Sequence, residues 1–145
     1  MLFRSKHKLD VFGVEFKKLP YDFERGFATV PEKYRGALLV LSSPGFTTPE
    51  RRRLPDFALR HRLPAMFFVR NFVLAGGLMS YGGSGPAMAA FAADYADLIA
   101  KGTDPGTLPI ARPTKFDFAV NLKTARALGI KLPRSILLRA TEVIE

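Results

Sequence analysis

Two spacings of apolar residues run along this chain of 145 residues, short unbroken runs first and longer helical stripes after them. Residues 9–16 (LDVFGVEF) are rich in Val and Phe and predict an opening strand. A short helix follows, with Asp22 as its N-cap and Phe23, Phe27 and Val30 on its inner face, and Pro31 helps to end it. Residues 37–41 (ALLVL) form an apolar run between a glycine and a Ser-Ser-Pro-Gly cluster, the pattern of a strand buried on both faces. Thr47 and Glu50 then have the spacing of a capping box, opening a helix to about His61. Pro55 within it removes an interior hydrogen bond and predicts a kink or a delayed start.

Residues 65–69 (AMFFV) predict the next buried strand, 71–75 a helical turn ended by Gly76 and Gly77, and 78–81 a further short strand. From Pro86 to Lys101 the period is strongly helical. Met88, Phe91, Tyr95, Leu98 and Ile99 share one face, with Pro86 near the start and Gly102 just past the end. Residues 116–120 (FDFAV) alternate as a strand. Asn121 caps a helix over 122–128 that stops at Gly129. Pro133 opens a last helix over 134–144, with Ile136, Leu137, Ala140 and Ile144 on one face.

Strands alternating with helices in this order predict the α/β class, with an open, mostly parallel sheet and helices on both faces. The length suits one domain over residues 1–145. An apolar content of 48% supplies a core and argues against disorder. Cysteine is absent, which excludes disulfides, thiolate catalysis and Cys-based zinc sites. The net charge of +9 raises the question of nucleic acid or acidic partners. The basic residues are scattered, however, with local clusters at 6–8, 17–18 and 51–53, and a solvated surface accounts for them. Phe57, the aromatic nearest the Arg51–Arg53 cluster, faces inward on this pattern, so nucleic acid is not the expected partner. No apolar run approaches the roughly 20 residues needed to span a bilayer. The charged start, MLFRSKHKLD, has no apolar region behind it and does not read as a secretory signal.

A parallel α/β sheet binds ligands at the carboxyl ends of its strands. There the sequence offers Ser42, Ser43 and Phe46, then Arg70 and Asn71, then Ser80 and Tyr81. Hydroxyls, an amide, a guanidinium and aromatic surface suit a small polar or aromatic solute. The glycine-rich stretch 82–86 matches neither phosphate-binding fingerprint, and Pro86 removes a donor. His7 and His61 stand apart with no second ligand at metal spacing. Asp94 and Asp97 lie opposite the apolar face of their helix, and the Ser42–Ser43 pair has no histidine base. No enzyme, cofactor or metal is expected.

Several stretches carry a family likeness: 36–41 (GALLVL), 58–65 (ALRHRLPA), 72–82 (FVLAGGLMSYG), 113–129 (PTKFDFAVNLKTARALG) and 132–144 (LPRSILLRATEVI). Taken in this order they resemble the ABC transporter substrate-binding family of the type I periplasmic binding protein fold, which includes tryptophan- and tyrosine-type members. The resemblance implies a two-lobed, hinged protein that closes on a small organic solute, amino acid-like or aromatic, and delivers it to a membrane permease. It implies the C-terminal part only, with residues 9–78 and 109–145 in the C-terminal lobe and 79–108 as a lobe-crossing segment with the long helix. Family members carry a secretion signal and an N-terminal lobe and are periplasmic, whereas this chain as written is expected to stay in the cytoplasm. The long helix, deprived of the other lobe, is expected to repack or to form a homodimer. The Ser42–Ser43 loop, where relatives often carry an acidic residue, and Pro55 depart from the family pattern. Two other readings stand beside this one. One is a basic module that binds nucleic acid or an acidic partner through Arg51–Arg53 and Arg60–Arg62. The other is a truncated chain without independent function.

Overall fold

The computed structural model describes residues 10–42 and 48–145. Its centre is a five-stranded sheet in the order β1-β2-β3-β4-β5, namely Leu38–Leu39, Ala65–Phe67, Met79–Gly83, Phe116–Asn121 and Glu142–Ile144. The first three strands are parallel, β4 is antiparallel to β3, and β5 is parallel to β4. The α/β class and the mostly parallel sheet are those the alternation implied.

The helices are α1 (Phe23–Ala28), α2 (Thr48–Arg60), α3 (Arg70–Leu74), α4 (Gly85–Ala100), α5 (Leu122–Leu128) and α6 (Arg134–Leu137). Local signals set several of their ends. The Asp22 side chain accepts from the Arg25 amide at the start of α1, and Asn121 accepts from the Thr124 amide at the start of α5. Gly129 takes the left-handed conformation (φ 72°) that closes α5. Helix α2 runs through Pro55 without a break; the proline costs a hydrogen bond, but Leu54, Phe57 and Ala58 around it are buried and hold the helix down.

One core cluster joins the sheet to α2 and α3. Val40, Ala65 and Phe67 face Leu54, Phe57 and Ala58 of α2 and Phe72 of α3. Phe67 and Phe72 stack with centroids 4.8 Å apart, and both are buried. The far end is an aromatic cluster of Phe16, Tyr21, Phe23, Phe27 and Phe57, which ties α1 to α2.

Three expectations are corrected. Residues 10–16 form no strand: among the described residues they have no ladder partner, and of their apolar side chains only Phe16 packs against the core. The run at 37–41 is an edge strand of two paired residues, not one buried on both faces. Leu38 and Val40 turn to the core while Leu39 (59%) and Leu41 (71%) stay exposed. The predicted terminal helix ends at Leu137, and residues 142–144 instead pair with Ala119–Asn121 as β5. The free edge of β4 offers hydrogen bonds to a segment containing Thr141, Val143 and Ile144, and β-branched residues favour that pleated surface over a last helical turn. Thr141 fixes the register: its amide donates to the Phe118 carbonyl, and its hydroxyl accepts from the Phe118 amide.

Helix α4 buries none of its residues, and Met88, Phe91, Leu98 and Ile99 remain 40–51% exposed. The Tyr95 hydroxyl donates to the Pro109 carbonyl at 2.6 Å, a tether to the returning chain.

Candidate functional site

Parallel strands β1, β2 and β3 bring their carboxyl ends to one edge of the sheet. Because β4 runs the other way, its first residues arrive at that same edge, and β5, parallel to β4, also starts there. The edge therefore gathers Ser42, Arg70, Asn71, Tyr81, Gly82, Phe116, Asp117 and Glu142.

A close backbone crossing sets the position of Arg70. The chain leaving β2 folds over β3 so tightly that a Cβ on Gly82 would run into the carbonyl oxygen of Phe68. Glycine is required there for space, not for a left-handed backbone. The crossing leads directly into α3, which packs across β3 and β4, and Arg70 is its first residue.

Arg70 reaches Glu142 in a two-pronged ion pair. Its Nη2 donates to Oε1 at 2.7 Å and its Nε donates to Oε2. The bond to Arg70 holds the Glu142 carboxyl below the usual carboxylate range, partly offset by desolvation. The same bond raises the Arg70 guanidinium, with Asp117 adding a weaker attraction. Both partners are substantially exposed, at 43% and 33%, so the pair orients the guanidinium more than it stabilises the fold.

The sequence-predicted residues do not all converge. Successive strand residues point to opposite faces. Register places Ser80 level with Phe67 and Ala119, fully buried, and its Oγ has no hydrogen-bond partner among the described residues. Tyr81 points to the other side, half exposed and stacked on Phe116 with centroids 5.4 Å apart and planes 3° apart. Phe118 meets the same ring edge-on. Ser42 and Asn71 are exposed at the edge with no side-chain bond among the described residues. Ser43 and Phe46 lie outside the described residues.

Asp117, Glu142 and Phe116 share the edge and were not singled out from the sequence. A carboxylate in an alternating strand reads as its solvent side, and the Arg70–Glu142 bond spans 72 positions, beyond any local pattern. The one available signal was that a returning antiparallel strand must begin where β3 ends.

The edge is open ground. A depression of about 250 Å³ lies elsewhere, between α1 and α2, and a groove of about 350 Å³ runs between α4 and the chain at 111–115. Part of the basic cluster around α2 is engaged within the chain: Arg53 bonds Glu50 and the Tyr21 carbonyl, while Arg60 and His61 both bind Glu24. Among the described residues no group of three or more His, Asp or Glu side chains could hold a metal. No helix is long and apolar enough to cross a membrane, among the described residues.

Comparison with known proteins places the family and the fold. A family model described as ABC transporter substrate binding protein matches residues 40–144. Comparison with curated proteins finds no match. A solved conserved domain protein from Vibrio cholerae is 24% identical, with a TM-score of 0.64 over 77% of this chain and 37% of that one. An ABC domain in complex with L-Trp from Streptococcus pneumoniae is 22% identical, with a TM-score of 0.66 over 74% and 37%. A ligand-free, open substrate-binding protein with adhesive properties from Clostridium difficile gives 18% and 0.54 over 74% and 36%. The chain thus spans just over a third of the length of these structures, and the likeness to them is one of fold. With most of its length matched by the family model and its sheet edge built from parallel strand ends, the chain belongs to the ABC transporter substrate-binding protein family.

Proposed function

We propose that this chain contributes one wall of a solute-capture cleft, at the strand-end edge around Arg70, and that the solute is a small amino acid-like molecule destined for a membrane permease. The observation that carries the reading is the Arg70 guanidinium, held in a fixed plane over the carboxyl edge of a parallel sheet. Open α/β sheets take ligands at that edge. The family is a component of transport and not of catalysis, and it is typically periplasmic. The L-Trp bound to the Streptococcus pneumoniae neighbour makes an aromatic amino acid the first solute to test. The half-exposed Tyr81–Phe116 stack, at the same strand ends but on the opposite face from Glu142, adds aromatic surface nearby. One wall of a cleft binds weakly, because closure of two walls supplies much of the contact.

Thermal melting against a panel of amino acids, sugars and carboxylates tests the reading. A ligand at 100 times its Kd adds about 2.7 kcal/mol, a shift of roughly 10 °C for a domain of this size. L-Trp or a related amino acid is expected to raise the melting temperature at millimolar concentration, and sugars are not. A panel without any shift, together with flat titration calorimetry, refutes solute capture by this chain.

A further inference from the structure

One short stretch supplies more than half of the chain's net charge of +9. No carboxylate stands between Asp117 and Glu142, while Lys123, Arg126, Lys131, Arg134 and Arg139 all fall there. The stretch connects two parallel strands, β4 and β5, through α5 and α6. Such a connection passes over a single face of the sheet, and the five cations ride on it together. Other residues make its inward contacts. Thr124 and Ala125 are buried, and the Thr124 hydroxyl donates to the Gly76 carbonyl at 2.8 Å. All five cations are exposed, and none has a side-chain hydrogen bond or ion pair among the described residues. Arg53 and Arg60 of α2 differ, because each has a carboxylate partner in the chain. Glu142, which closes the stretch, is engaged by Arg70.

Leu138 projects from this basic ground with 75% of its surface exposed, one helical turn from Arg134 and beside Arg139 in the chain. Three features select the partner. No aromatic residue lies at 119–145, so nucleic-acid bases have nothing to stack on. The depression and the groove described above lie elsewhere, between α1 and α2 and beside α4, and neither offers a peptide a cleft on this surface. Unpaired cations around one projecting leucine match a plane of anionic headgroups, which asks for charge and a shallow apolar insertion but no fixed hydrogen-bond geometry.

We infer that the α5–α6 connection is a docking surface for an anionic phospholipid bilayer. The five cations supply the attraction, and Leu138 enters the boundary between headgroups and acyl chains. Each Lys or Arg at such a surface strengthens partitioning about fivefold. The inference goes beyond solute capture, and its test uses no solute, so its failure leaves that reading untouched.

Vesicle flotation of the full chain tests this, with phosphatidylcholine alone and with equal parts phosphatidylcholine and phosphatidylglycerol. Binding is expected to the anionic vesicles only. It should fall at least tenfold between about 0.1 M and 1 M salt, where the screening length shrinks from about 10 to 3 Å. Arg134→Gln combined with Arg139→Gln should weaken binding about 25-fold at the lower salt. Lys17→Gln combined with Lys18→Gln removes the same charge from another exposed segment and should weaken it by no more than about threefold. The chain has no tryptophan, so Leu138→Trp provides a single reporter whose emission should move to the blue on anionic vesicles. Ile110→Trp, at a fully exposed position after α4, should not move. Variants are compared at melting temperatures matched to wild type, which separates lost binding from lost fold. Absence of binding to the anionic vesicles at about 0.1 M salt overturns the inference. Equal losses in the two double variants overturn it too, since net charge alone then drives binding. Equal emission shifts at 110 and 138 overturn the placement of the surface. Binding to poly-L-glutamate or duplex DNA without binding to anionic vesicles overturns the bilayer as the partner.

Discussion

Substituting alanine at Gly82 tests how the edge is built. The added Cβ would collide with the carbonyl oxygen of Phe68, a backbone atom that no side-chain rotation can move away. Either β3 or the crossing from β2 to α3 must shift. Overpacking of this kind costs about 1–3 kcal/mol. At roughly 4 °C per kcal/mol for a domain of this size, the melting temperature should fall by about 4–12 °C. Gly85, three positions on, is the control. A Cβ there meets nothing within 4 Å, and it opens a helix, so Gly85→Ala should leave the melting temperature unchanged or raise it by a few degrees. Scanning calorimetry of the two variants reads both signs in one experiment. The crossing also carries Arg70, so Gly82→Ala should weaken solute binding while Gly85→Ala should not. If Gly82→Ala melts with wild type, the chain does not cross β3 as described, and the placement of Arg70 falls with it.

Other outcomes follow from the same packing. Phe72→Ala removes a fully buried ring stacked on Phe67 and should cost about 3–5 kcal/mol, read as the midpoint of urea unfolding. Ser80→Ala deletes a buried hydroxyl that has no partner among the described residues and should stabilise the fold by up to about 1 kcal/mol; a clear loss would mean that the hydroxyl is bonded. The Glu142 carboxyl is lowered in the fold, so its contribution is present above its unfolded value near 4.5 and is lost as pH falls through the lower folded value. Glu142→Gln should therefore flatten the acid limb of stability below about pH 4.5 and change little at pH 7, as pH-dependent melting will show. Helix α4, with its apolar face uncovered, should self-associate; light scattering after size exclusion should report a dimer that Phe91→Lys returns to monomer, and a monomeric wild-type chain would contradict this.

What could be read from the sequence was what is locally encoded. Asn121, the apolar spacing of 122–128 and Gly129 define α5 without tertiary help, and the helix appears with those bounds. The Asp22 cap and the strand at Phe116 were legible for the same reason. Segments that depend on a distant partner were not. Residues 9–16 have strand composition, but a strand needs a neighbour, and 10–16 find none among the described residues. At 142–144 the apolar spacing fits a helix as well as a strand, and only the open edge of β4 decides between them. The strand-end rule pointed to Arg70, which stands at the start of α3 just past the end of β2. It could not show that Ser80 and Tyr81, adjacent in sequence, would face opposite sides, nor that Asp117 and Glu142 would join them from later strands.

Amide chemical-shift mapping of the ¹⁵N-labelled chain, titrated with L-tryptophan, locates the bound solute residue by residue. The largest shifts should fall together on Arg70, Asn71, Gly82, Asp117 and Glu142, positions that the sheet order brings to one edge. Shifts confined to the depression between α1 and α2, or to the groove beside α4, would contradict that placement.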